Sequence, residues 1–140
     1  MNNDVFNELA CRYARAVDRR DAAAIASLFA DDAELHMPGN ALVGVEQIAG
    51  IAQMLSDMFE CTQHRMGNQV VNVDGETASG EAYCTASHVR LKDGKREVED
   101  WAIRYQDEFV LQQGQWRYKR RELVIDWVEI RPAMAFGEQF

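Results

Sequence analysis

Asn72-Val-Asp74-Gly75-Glu-Thr77, Leu91-Lys-Asp93-Gly94-Lys95 and Leu111-Gln-Gln113-Gly114-Gln-Trp116 carry one signal three times: a polar residue and a glycine between runs of alternating side chains. Such pairs supply the positive φ that tight hairpins need, so they mark strand reversals. They divide the second half of the chain into four extended runs, about 62–73, 77–91, 96–112 and 115–129, which read as an antiparallel meander.

The first half has a different period. Asn3 and Asp4 can cap a helix running to about Asp18, with Val5, Leu9, Tyr13 and Val17 along its buried side. Asp21 then caps a short helix, Ala22 to Phe29. Ala33-Glu-Leu-His-Met37 alternates like a strand and stops at Pro38-Gly39-Asn40, after which a short extended piece, Ala41 to Val43, leads to Gly44. From Val45 to Phe59 the apolar residues recur at helical spacing, with Gly50 a weak point. Helices segregated from a meander make an α+β domain, with one sheet face packed on the helices. Long strands with Gly80 inside one of them suggest strong curvature, and a curved sheet closed by three helices encloses a cavity. The expectation is a single domain over 1–140, with a core of about 4–129. In the tail 130–140, Phe136 and Phe140 are apolar enough to fold over a pocket mouth or a neighbouring subunit, and disorder is the alternative.

Composition narrows the function. The chain has 140 residues, 47% of them hydrophobic, which suffices for one core. A formal net charge of -8 argues against nucleic acid and against an anionic membrane surface, and Lys119-Arg120-Arg121 is too short a basic cluster to reverse that. Cys11, Cys61 and Cys84 are odd in number and lack CxxC spacing, as expected of reduced, structural thiols. The N-terminus has no signal-peptide pattern and no run reaches the ~18 apolar residues of a membrane span, so a cytoplasmic location is expected.

Tyr13-Ala-Arg-Ala-Val-Asp18, Leu28-Phe-Ala-Asp31-Asp32-Ala33, Gln63-His64-Arg-Met-Gly-Asn68 and Trp116-Arg-Tyr-Lys-Arg-Arg121-Glu-Leu-Val-Ile-Asp126-Trp127 occur in an order that resembles the SnoaL-like branch of the nuclear transport factor two-like superfamily. The resemblance covers roughly residues 4–129. It implies a cone: a highly curved, mainly antiparallel sheet around a deep apolar cavity closed by helices. It is nearest the group with scytalone dehydratase, a bile-acid dehydratase and hexachlorocyclohexane dehydrochlorinase, in which an Asp near the end of the first helix pairs with a His on the strand after the third. That pattern assigns Asp18 and His64 as a dyad and puts Tyr13 where such enzymes carry a polar residue reaching the substrate.

The residues fit that chemistry. Imidazole is the side chain that abstracts a proton from carbon near neutral pH without special tuning, and a carboxylate behind it fixes the tautomer. Tyr13 could then donate a hydrogen bond to a leaving hydroxyl or a charged carbonyl. Met66, Asn68 and Val70 are expected to share the face of His64, and Arg121 or Arg120, whichever points inward, to bind a carboxylate or carbonyl. The opposing readings are a core histidine, a surface ion pair of Asp18 with Arg15, Arg19 or Arg20, and a Tyr13 that is plain core. His36 and His88 have no metal-ligand spacing, so neither a metal nor a cofactor is expected. The function expected is a cofactor-free, dehydratase-like lyase or isomerase acting on a small, apolar, cyclic ligand, in a homodimer or homotrimer. A non-catalytic ligand-binding or accessory domain and a polyketide cyclase are the alternatives.

Overall fold

The computed structural model describes residues 4–134. The chain runs α1 (Asp4–Asp18), α2 (Ala22–Ala26), β1 (Phe29–Met37), β2 (Asn40–Val43), α3 (Val45–Ala49), α4 (Ile51–Met58), β3 (Cys61–Asp74), β4 (Thr77–Lys92), β5 (Lys95–Gln112) and β6 (Gln115–Pro132). The strands form one mixed sheet in the order β2-β1-β6-β5-β4-β3, antiparallel throughout except where β1 runs parallel to β6. The sheet does not close on itself. Its concave face holds the core, and the helices cover it.

The hairpins have the expected chemistry. Asp93 and Gly94, at φ 53° and 77°, and Gln113 and Gly114, at 52° and 75°, have the positive φ at both central positions that a type I′ turn requires. The first hairpin is one residue out of step with the sequence reading. Asp74 pairs with Thr77, so the loop is Gly75-Glu76, with positive φ at Gly75 alone. That is the glycine-first pattern of a type II′ turn.

Several boundaries move for tertiary reasons. The second helix ends at Ala26, because Phe29 is already paired with Tyr118 of β6 and the Tyr118 N–H donates to the Leu28 carbonyl at 2.9 Å. The helix expected over 45–59 is split at Gly50, giving four helices where three were expected. A β-carbon at Gly50 would lie 3.0 Å from the Gln47 carbonyl oxygen, so the glycine permits the tight junction between α3 and α4. On α1, Phe6 is buried while Val5 is exposed. The proposed Asn3 cap and the tail from 135 to 140 lie outside the described residues.

Along β4 the inward positions are Ala78, Gly80, Ala82, Cys84, Ala86 and His88. Four small side chains and a glycine leave a trough into which other elements project. One end is packed solid with aromatic rings: Phe6 lies 4.8 Å from Phe109, Phe109 5.0 Å from Tyr118, and Tyr118 5.2 Å from Phe29, centroid to centroid. The other end is hollow.

Candidate active site

Three elements bring the site together. Asp18 is the last residue of α1, where the chain leaves the helix through a left-handed Arg20 at φ 56°. The Arg20 N–H donates to Val17 O at 3.0 Å and the Asp21 N–H to Ala16 O at 2.9 Å, the paired bonds of a Schellman ending. Asp21 opens α2 with its carboxylate accepting from the Ala24 N–H at 3.0 Å. This reversal leaves Asp18 at the helix end, facing the start of β3, with Thr62 and His64 two apart on that strand's inward face.

Asp18 Oδ1 accepts from His64 Nδ1 at 2.7 Å and from the Thr62 hydroxyl at 3.0 Å, and Oδ2 accepts from the His64 backbone N–H at 2.8 Å. Burial pushes the Asp18 carboxyl up, but the ring and backbone hydrogen bonds of His64 and the Thr62 hydroxyl together pull it below its ordinary value. An ionised Asp18 can only accept, so His64 Nδ1 carries the proton and donates it in the hydrogen bond. The Nε2 lone pair of His64 is thereby left free.

His64 borders a cavity of about 300 Å³. Its wall is apolar: Ile51, Met54, Leu55 and Met58 from α4, Val17 from α1, Leu123 and Ile125 from β6, and Met37-Pro38 at the end of β1. Among the described residues, polar side chains enter the wall at Tyr13, Tyr105, Trp101, His88, Asn40 and His64. A few polar groups on an apolar wall is the usual make-up of a small-molecule site, and the volume suits a ligand of one or two rings. Burial raises the Tyr13 phenol, with Arg121 pulling the other way, so Tyr13 is a neutral donor at physiological pH.

Arg121 does not border the cavity. It lies beneath Tyr13 and Tyr105 with no exposure, its guanidinium bound to Asp107 at 2.7 and 3.1 Å and packed over the rings of Tyr105, Tyr118 and Tyr13 at 3.7, 4.3 and 4.4 Å. Among the described residues its Nη1 and the hydroxyls of Tyr105 and Tyr118 find no hydrogen-bond partner. Arg120 faces the opposite side of the sheet and pairs with Glu122 at 3.2 Å. The expected substrate contact through either arginine is therefore corrected: the inward one is consumed by a buried ion pair. Met66 points inward but packs against the core rather than the cavity. Asn68 and Val70 do not share the face of His64, because a bulge between Met66 and Gln69 inverts the alternation and puts Gln69, Val71 and Val73 inside.

His88 was not singled out as a site residue. It is 1% exposed, lies 3.9 Å from the Trp101 ring and 6.0 Å from the His64 ring, and its Nδ1 donates to the Glu99 carbonyl at 3.0 Å. Burial lowers its pKa to about 4, so the ring is neutral and presents Nε2 as an acceptor. The signal existed in the sequence: His88 has the parity of Ala82, Cys84 and Ala86, a run of small side chains with one ring at its end. Trp101 is held in turn, its indole N–H donating to Glu99 at 2.6 Å while Arg90 donates to the other oxygen at 2.7 Å. Among the described residues no three His, Cys, Asp or Glu side chains gather as metal ligands, and no helix is long and apolar enough to cross a membrane.

Comparison with known proteins adds kinship to the geometry. The family profile of the SnoaL-like domain matches residues 6–122. An uncharacterized Mycobacterium tuberculosis protein, Rv2910c, is 32% identical over 120 residues, covering 83% of this chain and 80% of its own. A type 2 hexachlorocyclohexane dehydrochlorinase superposes with a TM-score of 0.84 at 20% identity, over 96% of this chain and 91% of that one. A provisionally named scytalone dehydratase from Novosphingobium aromaticivorans superposes at 0.78, with 22% identity over 98% and 94% of the two chains. At these identities the likeness of the two structures is one of fold.

Proposed function

From the chain's membership of the SnoaL-like family we propose that it is a cofactor-free lyase or isomerase that removes a proton from carbon in a small, apolar, cyclic substrate. The observation that carries this reading is the His64 ring, bound through Nδ1 to Asp18 and set in the wall of an otherwise apolar cavity. Dehydration and dehydrochlorination, the reactions named for the two structural neighbours, are both eliminations in which a proton leaves carbon, which is the kind of reaction proposed here.

In the proposed reaction His64 Nε2 takes the proton from carbon. The electron pair left behind forms the new double bond as the bond to the leaving group breaks, and the imidazolium then gives its proton to the departing hydroxide, which leaves as water, or to solvent when the leaving group is a halide. Asp18 stays ionised and stabilises the imidazolium. Tyr13 donates to the departing oxygen or to a carbonyl gaining charge, and neutral His88 accepts a hydrogen bond from a substrate hydroxyl. In an isomerisation the imidazolium would return the proton at another carbon.

The test is a screen of cyclic hydroxy compounds for loss of water, followed by His64→Ala and Asp18→Asn. The amide of an asparagine at 18 must turn its oxygen to the His64 backbone N–H, which can only donate, and so aims its NH2 at Nδ1. That forces the proton to Nε2 and removes the base. Losing a unit charge about 4 Å from the imidazolium costs about 4 kcal/mol at an effective dielectric of 20, or roughly a thousandfold in kcat. Unchanged turnover in both variants would refute the proposal. Tight binding without turnover in the wild-type protein would favour a ligand-binding domain instead.

A further inference from the structure

We propose that Arg20 is a positioning residue, acting through the Thr62 hydroxyl to hold Asp18 on the His64 ring. The inference rests on the reading of His64 as the base and deepens it.

The argument is one of hydrogen-bond direction. Arg20 Nη1 lies 2.7 Å from Thr62 Oγ1 and 2.9 Å from the Val17 carbonyl oxygen. A guanidinium only donates, so the Thr62 oxygen must accept, and its single proton is left for Asp18 Oδ1 at 3.0 Å. The order Arg20 to Thr62 to Asp18 cannot be reversed while the arginine is there. Asp18 consequently meets a donor in each of its three hydrogen bonds, from Thr62, the His64 ring and the His64 backbone, and its carboxylate is pinned at both oxygens although its side chain is 23% exposed.

The backbone supplies a second, independent observation. Arg20 occupies the left-handed position of the Schellman ending, where glycine is the residue without a steric penalty. A long side chain is kept there against local preference, and its tip reaches Thr62, 42 residues away. It also places a positive charge at the carbonyl end of α1, opposing the unfavourable meeting of Asp18 with the helix dipole. Other titratable groups that interact with Arg20 or Asp18 are Cys61, His64, Cys84 and His88.

The readout is the exchange rate of the His64 Nδ1 proton with water, followed by NMR on the full-length 15N-labelled protein at pH 7. It reports the lifetime of the Asp18–His64 bond and needs no substrate. In Thr62→Val, which keeps the Arg20 bond to Val17, exchange should accelerate about tenfold, the worth of one hydrogen bond. Thr62→Ser should restore it. Arg20→Gly should accelerate exchange severalfold with a melting midpoint within about 3 °C of wild type, because relief at the left-handed position offsets the lost contacts.

Exchange within twofold of wild type in Thr62→Val or Arg20→Gly overturns the inference, as does a Thr62→Ser variant that stays fast. A large fall in melting midpoint for Arg20→Gly with unchanged exchange would make Arg20 a helix cap and nothing more. Failure of the underlying reading looks different: the wild-type ring would then carry its proton on Nε2.

Discussion

The protonation state of His88 gives the sharpest quantitative expectation. Its pKa falls from 6.5 in the unfolded chain to about 4 in the fold, chiefly through burial against Phe59 and Trp101. The folded protein therefore binds fewer protons than the unfolded chain between those values. The contribution of His88 to stability is complete above pH 6.5 and is lost as the pH falls toward 4. At pH 4.5 the difference amounts to roughly 2 kcal/mol relative to pH 7. Urea unfolding of wild type and His88→Asn at the two pH values isolates it. Asparagine keeps an N–H near the position of Nδ1 to donate to the Glu99 carbonyl but cannot titrate. The variant should be less stable than wild type at pH 7, because it leaves a void beside Trp101. Its further loss on going to pH 4.5 should be smaller than that of wild type by roughly 2 kcal/mol. Equal losses, within about 0.5 kcal/mol, would refute the assignment of a neutral buried ring. The His88 proton shifts in the wild-type protein should meanwhile stay flat from pH 8 to 5.

Two further expectations concern the scaffold. Asp107→Asn strips Arg121 of its counter-charge in a site without solvent, which should cost about 3 to 5 kcal/mol in denaturant unfolding, while Asp107→Leu with Arg121→Met should cost much less. A double variant as unstable as the single one would contradict that account. Gly80→Ala would place a β-carbon 2.5 Å from the Val70 carbonyl oxygen and 2.8 Å from a Val71 methyl, so it should cost about 1 to 3 kcal/mol and loosen the pairing of β3 with β4. Amide exchange across Val70 and Val71 would detect it, and wild-type protection there would show that the strands can part freely.

The layout of helices and hairpins was legible because it depends on local chemistry: glycine at positive φ, capping side chains and the two hydrophobic periods. Residue facing was legible only as far as the next bulge. From His64 the alternation predicts Asn68 and Val70 inside, and one extra residue at 67–68 sends them out. The choice between Arg120 and Arg121 turns on another bulge, between Glu108 and Phe109 in the pairing with β6, which lets Tyr118 and Arg121 face the same way. Bulges are fixed by the whole sheet and leave little trace in the local sequence. The β1–β6 pairing that shortens α2 is likewise a long-range matter. The meeting of Asp18 with His64 was suggested by family resemblance rather than by spacing. The role of Arg20 was hidden because a left-handed arginine contradicts the rule that would have placed glycine there.

The row of small side chains on β4 carries a consequence of its own. Neither Ala82 nor Ala86 forms part of the wall, yet each sits in register with residues that do: Tyr105 beside Ala82, and His64 and Trp101 beside Ala86. Chamber size is thus governed from behind the wall, by methyl-sized groups that never meet the occupant. Enlarging one of them would push a ring inward and shrink the chamber while leaving the reactive atoms untouched. Evolution could in this way retune which molecules fit without rewriting the chemistry, and two relatives with identical linings could still admit guests of different size.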